Sequence, residues 1–254
     1  MKRSTLILVL SGITPLIAWG DEPAPPPQNV WTGTGQAGYT SSSGNSEGKS
    51  ANAAIDMAYL DDPWKHAFHL DGLYGQSAGL VSAERWDTSW QTNYNLTADL
   101  YTFGLLTYRH DLFNGFDYQA SASAGLGYKF FATATTKLDA QVGIGYQTLR
   151  PEDITKNANG VVVGRTFLPS ENGVAETAAV NFAQALSSTT TLTNKLAVTS
   201  SSANTLVTNA LAVAVKISTK LALSAGYSLQ DNSKPPAGLK RVDTLETLNL
   251  VYSF

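Results

Sequence analysis

The chain contains no cysteine. No disulfide framework can hold the fold, so a hydrogen-bonded sheet must do so. There is also no internal apolar run long enough for a membrane-spanning helix. Charge is sparse: 15% of the 254 residues are charged and the formal net charge is −3, which gives no electrostatic case for nucleic acid. Only three histidines occur, His66, His69 and His110. No Gly-x-Ser-x-Gly elbow and no phosphate-binding glycine loop is present. Mean hydropathy is −0.10 with 43% hydrophobic residues. A barrel whose lipid-facing and lumen-facing residues alternate has this profile, and so does a soluble β protein.

The start of the chain reads as a secretory signal over residues 1–20. Lys2 and Arg3 supply the positive start and Leu6 to Ile17 the apolar core, and Ala18-Trp19-Gly20 puts small residues, Ala18 and Gly20, at the two positions a signal peptidase inspects. No cysteine follows, so a lipid-anchored lipoprotein is not expected. Residues 21–29 include Pro23, Pro25, Pro26 and Pro27 and read as an extended periplasmic leader. The expected domain is 30–254.

From Trp31 onward the pattern has period two. In 138–147, Leu138, Ala140, Val142, Ile144 and Tyr146 share one face, and Asp139, Gln141, Gly143, Gly145 and Gln147 the other. Residues 86–96 and 118–130 repeat it, whereas 100–110 are apolar on both sides and ambiguous. The pattern predicts about twelve strands, each at or above the length a tilted membrane strand needs. Short connections, such as Asp61-Asp62-Pro63 and Ala98-Asp99, alternate with longer ones, such as 79–84, 111–117, 151–173, 200–204 and 231–241. This is the rhythm of a transmembrane antiparallel up-and-down β-barrel, with both termini on the periplasmic side. Aromatics gather in two groups. Trp31, Tyr59, Trp64, Phe68, Tyr101, Phe130, Tyr252 and Phe254 fall near one end, and Trp86, Tyr108, Phe113, Phe116 and Tyr118 near the other, as interfacial girdles require. In the last strand, Leu250, Tyr252 and Phe254 alternate with polar or small residues. That end resembles the closing strand of Gram-negative outer-membrane barrels, which the barrel assembly machinery reads.

Gly44-Asn45-Ser46, Tyr108-Arg109-His110-Asp111, Gly125-Leu126-Gly127-Tyr128 and the C-terminal strand resemble the family called domain of unknown function 481. The resemblance covers most of the chain after residue 20. It implies a salt-induced outer-membrane protein. It implies no catalytic or ligand residue.

Chemistry is thin. His66 and His69 are three apart on one strand and so face opposite sides, which argues against a zinc site. His110-Asp111, with Asp87 one strand away, is the one constellation suited to a hydrolase, a carboxylate beside a histidine being able to tune a base. The inward faces say more. Asp56, Asp71, Asp87 and Asp139, with Lys129, Lys195 and Lys216, alternate against apolar neighbours and are expected to line the lumen. Charges there must pair or meet water. The loop 151–173 carries Val161-Val162-Val163 and Phe167-Leu168; it is expected to fold over the mouth or to form a small hairpin around Asn159-Gly160. The expected function is a narrow passive pore for small solutes, or a structural envelope component linked to osmotic or salt stress. The competing readings are a hydrolase around His110 and a surface adhesion or assembly protein. No cofactor or metal is expected. The expected partners are outer-membrane lipids, the assembly machinery and small solutes.

Overall fold

The computed structural model describes residues 29–42, 48–112, 114–156, 162–236 and 239–254. The expected signal segment and nearly all of the leader, Phe113, and the Asn159-Gly160 tip lie outside the described residues.

Period-two sequence becomes strand throughout. The elements are β1 (Val30–Ser42), β2 (Gly48–Asp61), β3 (Trp64–Ser77), β4 (Leu80–Asn95), β5 (Leu100–Asp111), β6 (Phe116–Ala132) and β7 (Thr136–Lys156). They continue with β8 (Val162–Phe167), β9 (Glu171–Ala185), β10 (Thr190–Ser201), β11 (Thr205–Lys216), β12 (Leu221–Asn232) and β13 (Val242–Ser253). All pairings are antiparallel. Sequence neighbours pair throughout except β8 and β9; β9 pairs with β7 instead, and β1 pairs with β13 to close the wall. The result is an all-β, up-and-down barrel of twelve strands. β8 stands outside the ring: it pairs only with the upper part of β7, Glu152 to Lys156, as the expected small hairpin.

Closure rests on a short seam. β1 and β13 pair over Thr34–Ala37 against Leu250–Ser253, extended by reciprocal Gly33–Phe254 backbone bonds of 3.0 Å. By contrast, β1 and β2 pair from Val30 to Ser42. Above the seam a buried amide chain inside the barrel helps hold it: Asn52 Nδ2 donates to Asn249 Oδ1 at 3.0 Å, and Asn249 Nδ2 to Gln36 Oε1 at 3.2 Å. Phe254 presses on Gly33, where any Cβ would lie 2.4 Å from the ring.

Alternation sorts the side chains as a lipid-facing barrel requires. Leu70, Trp90, Leu106, Leu126, Val142, Leu196, Leu211 and Leu248 point outward and are exposed. They form a belt nearer the short-turn end. The outward charges Lys49, Glu84, Glu176 and Glu246 lie toward the other end. Rings cluster at the short-turn rim, with Trp31–Tyr59 at 5.0 Å and Trp64–Tyr94 at 4.8 Å, and again higher up, with Trp86–Tyr108 at 5.0 Å. Two expected girdle members depart from this. Tyr101 and Phe116 are 3% exposed and turn into the barrel. β5 is apolar on both faces, so the pattern could not orient Tyr101; the register with β4 and β6 does.

Two connections expected to be long are tight. β3 and β4 are joined by Ala78-Gly79 alone, with φ of 49° and 78°, which is the left-handed pair a two-residue hairpin needs. β10 and β11 are joined through 202–204, closed by Ser201 N–H donating to Asn204 O at 3.0 Å. The β12–β13 connection is long and crosses the mouth. Pro236 and Leu239 reach the β5–β6 turn, where a Cβ on Gly115 would lie 2.6 Å from Pro236 Cγ and 2.5 Å from Leu239 Cδ1. That turn lies diametrically opposite in the ring. Gly115 has φ of 82°, a second reason for glycine there.

Candidate functional site

The site is the lumen, and it has two unlike halves. In the half away from the short-turn rim, termed outer by its place in the proposed orientation, β2 to β5 set Asp56, His69, Asp71, Arg85, Asp87 and Arg109 on inward positions of four adjacent strands. Asp71 pairs with Arg85 at 2.9 Å, and both side chains are almost wholly buried. His69 Nδ1 lies 2.9 Å from Asp56 Oδ1, and its Nε2 lies 3.3 Å from Asp71 and 3.7 Å from Asp87. Arg109 takes Asp87 at 3.3 Å. Asp71 and Asp87 therefore each have a guanidinium beside them, and Asp56 an imidazole, as low-dielectric surroundings demand. Arg109 also donates from Nη1 to Gln230 Oε1 at 3.0 Å. Gln230 is on β12, six strands from β5 in either direction round the ring. One side-chain bridge thus spans the barrel. Above it, Leu73, Ala83 and Leu245 form a small apolar cluster.

His69, Asp71 and Asp87 offer ligand atoms within 4.8 Å of one another. Asp71 and Asp87 already hold Arg85 and Arg109, and His69 holds Asp56. A divalent ion there would sit against two guanidinium groups, so the donor set fits an ion-pair network better than a metal.

The inner half is open. A cavity of about 1320 Å³ runs from the short-turn rim, at Asp62, Trp64 and Ala98, up to Arg109, Gln119 and Gln147. Its wall carries Lys65, Lys129, Lys137, Asp139 and Lys195. Asp139 accepts from Tyr101 OH at 3.2 Å and Asn181 Nδ2 at 2.9 Å, both neutral donors. Gln91 Nε2 donates to Gln141 Oε1 at 3.0 Å, linking β4 to β7 inside the barrel.

Of the residues expected in the lumen, Asp56, Asp71, Asp87, Lys129, Asp139 and Lys195 all line this cavity. Lys216 sits at the short-turn end of β11, outside that lining. Lys65, His69, Arg85 and Arg109 were not singled out for it. Lys65 and His69 share the face of Asp71 on β3, so alternation from Asp71 would have found them. His110 faces outward beside Trp86 and binds the carbonyl of Asp117, whereas Asp111 and Asp87 are buried inside. The wall separates His110 from both acids, so the one catalytic constellation in the sequence is not assembled.

The match to known proteins extends along nearly the whole chain. The family described as "Protein of unknown function, DUF481" matches residues 35–254. The "Uncharacterized protein YdiY" of Escherichia coli (strain K12) is 25% identical over 234 residues, covering 92% of this chain and 86% of that protein. Among solved structures, the COG4313 outer membrane channel from Pseudomonas putida F1 shares 12% identity at a TM-score of 0.48, covering 96% of this chain and 100% of that one. The translocator domain of autotransporter NalP from Neisseria meningitidis shares 15% at a TM-score of 0.45, covering 88% and 86%. The family match takes in every strand of the ring, β1 to β13, and the chain belongs to the DUF481 family.

Proposed function

We propose that the protein is an outer-membrane barrel providing a narrow, gated path for small solutes, with its short turns toward the periplasm. The observation that carries this reading is the cavity of about 1320 Å³ inside an apolar-belted wall, lined from the short-turn rim up to Arg109, whose side chain bridges the barrel to Gln230. Twelve strands enclose more space than the eight whose side chains nearly fill a barrel. The β12–β13 connection, seated on Gly115, is the outer closure. Assembly into the membrane would use the end formed by Leu250, Tyr252 and Phe254. A link to salt or osmotic stress, implied by the family resemblance, would be exercised through solute passage.

The test is single-channel recording in planar bilayers of wild type and of Gln230→Ala, alone and combined with Gly115→Val. Small conductance steps in wild type and larger ones in the variants are expected. Silent bilayers for all three, with intact heat-modifiable barrels, would overturn the path and leave a structural envelope protein.

A further inference from the structure

We propose that the inner vestibule binds small organic anions bearing carboxylate or phosphate groups, held by Lys65, Lys129, Lys137 and Lys195. The proposal deepens the solute-path reading and rests on it for its physiological meaning.

The argument starts from counting charges on one surface. Four lysines, from β3, β6, β7 and β10, face the same cavity. Asp139 is the acid set among them, and Asp61 and Asp62 lie at the rim. Asp56, Asp71 and Asp87 also border the cavity, but they are engaged above by His69, Arg85 and Arg109. Lys65 and Lys195 form no ion pair within 4 Å and no hydrogen bond among the described residues. Lys65 lies within electrostatic reach of Asp139 and Lys129, and Lys195 within reach of Asp56, Lys65 and Asp139, so the four lysines and these acids share one field. Lys129 does find neutral acceptors, with Nζ donating to Asn95 Oδ1 at 3.0 Å and to Ala98 O at 3.2 Å. These acceptors hold the ammonium in place and leave its charge uncancelled.

Like charges converging in a partly enclosed space are unfavourable unless something supplies the opposite sign. The chain sets His69, Arg85 and Arg109 beside Asp56, Asp71 and Asp87 but gives Lys65 and Lys195 no ion pair within 4 Å among the described residues. An anion entering at the short-turn rim would meet several ammonium donors at once, and charge-assisted hydrogen bonds are the strong ones. Lysine suits this better than arginine where ligands vary, since a flexible point charge adapts to different geometries. The ligand class is therefore small and multiply charged, with no fixed planar shape required.

The test uses the full barrel refolded in neutral detergent micelles, with citrate and inorganic pyrophosphate as probes. Titration calorimetry should show binding that weakens steeply with added salt. Lys65→Gln with Lys195→Gln should weaken it by about tenfold or more. Asp139→Asn removes a repelling charge and should tighten it, so a gain in one variant guards against mere misfolding in the other. Equal affinity in wild type and the double variant, or no binding in wild type, would overturn the proposal. Binding in micelles needs no conduction. Retained binding with silent bilayers sinks the path reading alone; conduction without binding sinks this one alone.

Discussion

The two halves of the lumen use the same kinds of residue to opposite ends. In the outer half, Asp56, His69, Asp71, Arg85, Asp87 and Arg109 stand on adjacent strands and meet at hydrogen-bond distance. In the inner half, Lys65 and Lys195 stand on β3 and β10, on opposite sides of the ring, and Lys129 and Lys137 on the adjacent β6 and β7. Adjacency alone does not decide the outcome: Lys129 faces Asp139 in register across β6 and β7, yet its Nζ donates to Asn95 and Ala98. The outer charges close on one another as a solid girder, while the inner lysines border an open space. The first is a structural solution to burying ions; the second keeps charge available.

That contrast can be broken by substitution, beginning where the effect is largest. Asp71→Ala removes the carboxylate from a completely enclosed Arg85 side chain. Breaking one side of such a pair typically costs about 3–5 kcal/mol. Urea unfolding in lipid vesicles should show it, and a loss below ~1 kcal/mol would mean the outer half is as hydrated as the inner. Gly115→Val comes next. It forces a branched side chain into a left-handed backbone and into Leu239, for a cost of about 1–3 kcal/mol. The β12–β13 connection should lift, so that limited trypsin nicks at Lys240 or Arg241 several times faster; an unchanged rate would show that the connection is held by other contacts. The smallest effect is expected in the inner half. Lys65→Gln should move the unfolding midpoint by less than about 1 kcal/mol, because a charge facing a water-sized space is largely screened. A large loss there would abolish the distinction between the halves.

How much of this was readable beforehand follows from what alternation can carry. It identified the wall and the facing of strands such as β7, with Val142 out and Gln141 in, because there one face is apolar and the other polar. It offered a hairpin as one of two outcomes for the loop after β7, and the pairing of β7 with β8 is that outcome. It could not orient β5, and so it set Tyr101 in a girdle when that ring in fact binds Asp139. It left open whether the lumen acids pair or meet water, because the partners in space, Arg85 and Arg109, become neighbours only once register is known. Loop lengths were overread for a related reason: Leu80 and Val81 are strand residues, and the turn before them needs just Ala78 and Gly79.

The short seam between β1 and β13 carries a consequence in time. Every other join in the ring links strands next to each other along the chain, or parted only by the β8 hairpin, so each can form early and locally. The seam alone must bring together segments more than two hundred positions apart, for few backbone bonds in return. Loop-closure entropy makes that the last and slowest contact to gain. The sheet therefore exists first as an open ribbon with two bare edges. The Asn52–Asn249–Gln36 chain and the Phe254 ring on Gly33 then act as the fasteners that commit the ribbon to a cylinder and remove both edges from the reach of other chains.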